Sequence, residues 1–478
     1  MLRRPKGLPW RGVLAVSYNF LPYAQDQQFL LPPSLHEWVE EESLERFVSD
    51  VVGHLDDEGR LSAFYASYRT DGWGHPAYHP VMLLKVLLYG YCVGVRSSRK
   101  IAEALRRDVA FRYLSANQQP DFRTISDFRM KHLEEFEALF RDIVELCQEA
   151  GLAGLGRVAV DGRRVKGSAA LDRNRTREQI EQEVRRILEE AERIDREEDE
   201  KYGPDRRGDE LPEGLRTRED RLRKLKEARA RLDAKEQALK ESQAERIKER
   251  EQEEKRTGRK KRGRKPKPAD SVKLDDGQKA NLTDPESQIL KTRTGWVQGY
   301  NGQVMVDCTS QVIVAQHVTS EANDVQQLTP LLDGCADVNG KLPAELLADA
   351  GYWSEENATL KEDQPELFIA TTKDWKQRQA LRDKGPPRGR IPKHYGPRDR
   401  MERKLLTKRG REAYKERSQT VEPVFGQMVM RGSGSFLLRG LKGAGGEWSL
   451  FSLTHNMLKL WRAGWQPTST LGAKPLPV

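Results

Sequence analysis

From residue 80 to residue 147 the apolar positions recur at helical intervals. Pro80 opens a run containing Val81, Leu83, Leu84, Val86, Leu87 and Leu88, and Ser97 and Ser98 can cap a short helix over 99–107. Ile125, Phe128, Leu133, Phe136, Leu139, Phe140, Ile143 and Leu146 share a further face and predict a helix over 124–147. At 157 the period shortens to that of strands. Arg157-Val-Ala-Val-Asp161-Gly is a β-branched run ending in a carboxylate, and 303–308, 312–318, 345–353 and 367–371 read as further strands, with a helix near 324–333. The order predicts an N-terminal all-α region followed by a mixed sheet with helices packed on it.

Between these regions the pattern thins. Residues 173–268 hold 32 basic and 26 acidic side chains, too many charges for a core. Ile180, Val184, Ile187, Ala191 and Ile194 still recur at 4-3-4-3 spacing, and Leu222, Leu225, Ala228, Leu232 and Leu239 form a weaker seam. Tyr202-Gly-Pro and Pro212-Glu-Gly interrupt them, which predicts an antiparallel helical hairpin over 176–200 and 215–255. Two solvated helices or partly disordered arms fit such single-residue seams equally well. After them, 259–268 has seven basic residues in ten and no acid. Its Arg262 and Arg264 resemble an AT-hook, but Lys265 precedes Pro266, and a nonspecific phosphate-binding linker fits better.

Charge changes the picture once it is divided. The chain of 478 residues has 83 Lys and Arg against 74 Asp and Glu, a net +9. Residues 269–372 hold 6 basic and 17 acidic groups, whereas 373–417 hold 17 and 6, so an acidic and a basic block of equal size adjoin and cancel. The four cysteines, at 92, 147, 308 and 335, form no C-x-x-C pair, which argues against a disulfide framework or a zinc site and for a reducing compartment. The longest membrane-like run, 81–95, contains Lys85 and falls short of the ~20 residues a spanning helix needs, so a cytoplasmic protein with no membrane partner is expected.

Two candidate strands end in carboxylates, Asp161 and Asp349. An acid flanked by Val and Leu faces desolvation unless it is ion-paired, metal-bound or at the sheet's end. The plain alternative is an Asp-Gly turn. Glu422 precedes Pro423, which places it in the first turn of a helix, where the dipole stabilises its charge by about 0.3–1 kcal/mol or where it merely caps. The helix over 99–107 carries Arg99, Lys100, Arg106 and Arg107. With the helix before it, it resembles a helix-turn-helix, although a packing or dimerisation domain fits nearly as well.

Together Asp161, Asp349 and Glu422 resemble the motif of the DDE transposases of bacterial insertion sequences. Tyr414-x-x-Arg417 followed by Glu422 is similar to that family's Tyr-Arg-Glu-Lys signature. Asn281-Leu-Thr-Asp-Pro-Glu, Val297-Gln-Gly-Tyr-Asn301, Asn323-Asp-Val-Gln-Gln327 and Ala348-Asp-Ala-Gly-Tyr352 are similar to its other segments. There are departures: four residues, not three, separate Arg417 from Glu422, and Val429 stands where Lys is expected.

The resemblance implies an α/β ribonuclease-H-like mixed sheet as catalytic core, with an N-terminal all-α domain and the inserted helical hairpin. The corresponding divisions are an extension (1–25), a helical DNA-binding or end-recognition domain (26–150), the first part of the core (151–172), the hairpin (173–258), the basic linker (259–280), the rest of the core (281–465) and a flexible tail (466–478). It further implies Mg2+ or Mn2+, two ions held by Asp161, Asp349 and Glu422, with Tyr414 and Arg417 on a DNA phosphate. Double-stranded DNA, as element end and as target, is the implied partner of a homodimer. A metal-dependent nuclease that cuts without joining and a catalytically inactive DNA-binding scaffold are the alternatives.

Overall fold

The computed structural model describes residues 34–68, 76–202, 213–260, 265–359, 364–383 and 385–467. The expected extension 1–25, Arg262 and Arg264, and all but the first two residues of the expected tail lie outside them.

Among the described residues seven helices precede the sheet: α1 (Leu44–Asp57), α2 (Ser62–Tyr65), α3 (Pro80–Val93), α4 (Ser98–Arg107), α5 (Val109–Leu114), α6 (Phe122–Lys131) and α7 (Leu133–Glu149). Pro80 sits at the start of α3, where its missing N–H costs nothing. The Asp108 and Asp121 side chains cap α5 and α6 by accepting from backbone N–H groups. Ser97 occupies the cap position of α4 but its hydroxyl makes no capping bond, and the Ser98 hydroxyl instead accepts from Arg129 at 3.4 Å. The single helix expected over 124–147 is two. The chain breaks at His132, whose ring is buried against Phe128 and Phe64 at centroid distances of 4.6 and 5.0 Å.

The remaining elements are β1 (Arg157–Lys166), β2 (Asn174–Thr176), α8 (Arg177–Tyr202), α9 (Glu213–Thr257), β3 (Lys279–Asn281), β4 (Gln288–Thr292), β5 (Gly295–Asp307), β6 (Ile313–Thr319), α10 (Leu328–Asn339), β7 (Glu345–Ala348), α11 (Glu355–Ala358), β8 (Glu366–Ile369), α12 (Trp375–Asp383), α13 (Pro397–Leu406), α14 (Lys408–Met430) and α15 (Gly440–Arg462). The main sheet runs β4-β5-β1-β7-β8, with β6 also on β5. β5 is antiparallel to β1, β4 and β6, while β1, β7 and β8 are parallel. This mixed order is consistent with a ribonuclease-H-like core.

One apolar core runs through both halves of the chain. Val48, Leu84, Phe136 and Phe140 from the first helices join Val160, Met305 and Leu347 from the sheet and Phe451 and Leu453 from α15. α15 is buried on every side because it lies against α7, α3 and β6 at once. Its Glu447 is fully buried. It accepts from Arg96 at 3.0 Å, from the Tyr91 hydroxyl at 3.2 Å and from the Leu437 and Leu438 backbone. The N-terminus of α15 is held from a distance: Asp284 and Glu286 accept from the Gly440 and Leu441 N–H groups, and the Tyr300 hydroxyl donates to Asp284 at 2.7 Å.

The helices α8 and α9 have their own small core of Ile180, Ile187, Leu225, Ala228 and Leu232, completed by Ala280 and Leu282. Their ion pairs run in opposite directions, Arg177 with Asp233 and Glu183 with Arg221, so the two are antiparallel. Leu239, expected in the seam, is exposed. Among the described residues no single helix is long and apolar enough to cross a membrane. The consecutive helices α3 and α4 are bent by 100° at the short break between them.

Candidate active site

Asp161 lies at the centre of the sheet. β1 does not turn at Gly162 but continues to Lys166, so the Asp-Gly turn is not what this pair encodes. Gly162 is there for space. A methyl group on it would lie 2.7 Å from Asp324 Oδ1 and would collide with the Gln303 amide. Gly162→Ala is therefore expected to destabilise the fold by about 1–3 kcal/mol, measured by urea denaturation; an unchanged midpoint would contradict this packing.

Asp349 follows the last residue of β7, the parallel neighbour of β1. The Gly351 N–H donates to its Oδ1 at 2.7 Å, and the Gly162 N–H donates to Asp161 Oδ1 at 2.9 Å. The outer oxygens of both acids converge on one guanidinium: Arg417 Nη2 is 2.8 Å from Asp161 Oδ2 and 4.0 Å from Asp349 Oδ2. Arg417 is only 13 % exposed, and its Nε has no hydrogen-bond partner. The family resemblance implies a DNA phosphate as its partner; in the fold, without DNA, it is engaged with the carboxylates.

A third acid beside the pair escaped the sequence reading. Asp324 is buried and accepts from Asn301 at 2.7 Å, from Gln303 at 2.8 Å and from Arg164 at 3.2 Å. It and Asp349 flank Gly351, where a methyl group would lie 2.8 Å from Asp349 Oδ1 and 3.1 Å from Asp324 Oδ2. Gln303 also accepts from the Tyr352 hydroxyl, so Tyr352 is a buried member of this network and unavailable for stacking on a base. The only sequence signal for Asp324 was its place in the Asn323-Asp segment.

Burial is the largest influence on the Asp161 carboxyl and pushes it up to about 6 from an ordinary 3.8. Arg417 pulls it down, and the charges of Asp349 and Asp324 push it up. Between those two pH values the folded protein holds a proton that the unfolded chain has lost, so this group makes folding less favourable as pH rises through the window. Carbon-detected NMR of the metal-free protein is expected to show Asp161 titrating near pH 6. Arg417→Ala removes the opposing cation and should move that midpoint higher; a midpoint near 4 in the unmutated protein would refute the environment described.

Glu422 is placed differently from the expectation. It is not in a first turn: α14 begins at Lys408, and Pro423 lies inside it. Proline removes the bond to the carbonyl four residues earlier, and here that carbonyl, of Gln419, accepts from the Gln311 side chain at 3.2 Å. A tertiary contact thus satisfies the group that proline orphans. Glu422 is exposed and lines a cavity of about 620 Å³ with Tyr414, Lys415, Arg417 and Ser418, along one side of α14. Among the described residues no group of three or more His, Cys, Asp or Glu is close enough to hold a metal ion. Asp161 and Asp349 are brought together, and Glu422 does not join them in a three-carboxylate cage. Two hard oxygen donors that already converge on a cation do fit Mg2+ of the kind that takes one or two carboxylates and leaves its other positions to phosphate and water.

Near the missing lysine, Val429 is half-buried, and Arg431 does not replace it. Its guanidinium turns to His455 on α15, at 3.3 Å. Arg99, Lys100, Arg106 and Arg107 are all exposed on α4.

Comparison with known families matches two parts of the chain. Residues 33–131 match the family described as a transposase domain (DUF772), and residues 377–461 match the transposase DDE domain. The second match takes in α14 with Tyr414, Arg417 and Glu422, together with most of α15. No curated protein and no solved structure matches the chain.

Proposed function

Because the chain is a DDE transposase of an insertion sequence, we propose that it binds the ends of its element, cuts the phosphodiester there and joins the freed end to target DNA. The observation that carries this reading is the convergence of Asp161 and Asp349 on a single cation at the middle of the sheet. These two carboxylates would hold Mg2+ or Mn2+, with Glu422 on the adjoining cavity wall as the third acid. Bound there, one ion or a pair would polarise the phosphodiester and make the attacking hydroxyl more acidic.

The chain's own residues do the remaining work. Arg417 is a positioning residue: without DNA it pairs with Asp161, lies near Asp349 and offsets part of their repulsion. Tyr414 lines the cavity along which a phosphate would enter. The cations of 373–417 would lay a basic surface beside the cut, which makes binding steeply dependent on salt. On α4, Arg99, Lys100, Arg106 and Arg107 would contact the element end, and Arg262 and Arg264 in the basic linker would add phosphate contacts. The helices α8 and α9 form an inserted hairpin between the first and later parts of the core, and a homodimer would hold both element ends.

The test uses a duplex taken from the DNA flanking the coding region, incubated with protein and Mg2+. Joined product is the expected result. Nicked DNA without joining would instead indicate a nuclease, and binding without cleavage an inactive scaffold.

A further inference from the structure

One of the exposed large apolar side chains stands on a hairpin that leaves the sheet. β4 and β5 pair from Gln288↔Gly299 to Thr292↔Gly295, whereas β1 stops opposite Gly299 and β6 opposite Asn301. Residues 288–298 are therefore a two-stranded ribbon without a third strand among the described residues. Near its tip Trp296 is 59 % exposed. Lys291, its cross-strand partner, holds its Nζ 6.0 Å from the ring centroid. Ile289 is exposed on the same face by the alternation of the strand, and Arg293 is exposed in the turn.

Its charge sets this ribbon apart from its surroundings. Residues 269–372 hold 17 acids and 6 bases, yet no acid occurs from Ser287 to Val306, and Lys291 and Arg293 are two of the six bases. A cationic, aromatic tip thus emerges from an acidic block.

We propose that the β4–β5 hairpin is a DNA-docking finger, with Trp296 packed against the groove wall of a duplex and Lys291 and Arg293 on the flanking phosphates. This rests on reading the chain as an enzyme that cuts DNA. A major groove about 12 Å wide admits a two-stranded ribbon. The register gives its distance from the cut. Asp161 pairs with Val304, and Trp296 is eight residues further along β5. At about 3.3 Å per residue that is about 26 Å, or about eight base pairs at 3.4 Å each. The finger would therefore grip the duplex about three-quarters of a turn from the reacting phosphodiester and fix which one reaches Asp161.

The test compares the full chain with a variant carrying Lys291→Ala, Arg293→Ala and Trp296→Ala. The probe is a fluorescein-labelled duplex of about 40 base pairs from the DNA flanking the coding region, followed by anisotropy between 50 and 200 mM KCl. All three positions are exposed, so an unchanged circular-dichroism melt is the control for folding. The dissociation constant is expected to rise ten- to a hundred-fold, and the slope of log affinity against log salt to become shallower by about two. A photo-crosslinker attached through Thr294→Cys is expected to mark the duplex about eight base pairs from the cleavage position. Unchanged affinity and slope would overturn the proposal. So would a variant that changes only the oligomeric state in light scattering, which would make the hairpin a subunit contact. If the unmutated chain itself binds no DNA, the broader reading fails first and is seen to fail in the same titration.

Discussion

Asp161→Asn is expected to lower Mg2+-dependent cleavage and joining by on the order of 10³-fold, because a ligand that supports several kcal/mol of transition-state stabilisation is lost. The substitution keeps the shape of the side chain and retains an oxygen that can accept from Arg417 at the position of the present 2.8 Å contact. Folding should therefore survive, and the melting temperature separates loss of chemistry from loss of structure. Asp349→Asn should behave alike, and the double variant should be little worse than either single one, since residues that act as a unit are not additive. Joining at the unmutated rate by Asp161→Asn would remove Asp161 from the chemistry.

The largest effect on stability is expected at a residue far from that chemistry. Glu447→Ala leaves Arg96 without its carboxylate and strands the Tyr91 hydroxyl and the Leu437 and Leu438 N–H groups. Breaking a buried pair from one side costs about 3–5 kcal/mol. Since Arg96 follows α3 and Glu447 is on α15, the loss should loosen the first helices and the core together. Urea denaturation with probes in each half checks this: a single lowered transition is expected, and two separated transitions would contradict a shared core. Glu447→Gln keeps an acceptor and should cost less.

Local pattern carried the strands and their acids. The β-branched run before Asp161 and the Leu-Leu-Ala before Asp349 were legible because alternation and burial write a strand directly into the sequence. What depended on distant partners was not legible. Pro423 indicates a helix start to any local reading, whereas the carbonyl it orphans inside α14 is satisfied by the Gln311 amide, more than a hundred residues away in sequence. Asp324 has no periodic context, and its role comes from Asn301 and Gln303 on β5. The carboxylate that Arg417 meets lies on β1, far from it in sequence, so no local pattern points to the pair. The segment Asn281-Leu-Thr-Asp-Pro-Glu was noticed for its resemblance, but its acids cap α15, a role visible only once both elements are placed.

The burial of α15 against α3 and α7 also sets a schedule. A ribosome completes α3 and α7 more than 290 residues before Gly440, the first residue of α15, leaves it. Until then the parts of α3 and α7 that α15 covers, Tyr91 against Phe451 and Leu133 against Gly446, have no cover, and β1 waits for β5 across the charged insertion. Pairing so distant in sequence folds slowly. A nascent chain would spend most of its synthesis with an unfinished core, so a truncation that stops before α15 should aggregate even though it keeps the first helices and every strand of the sheet.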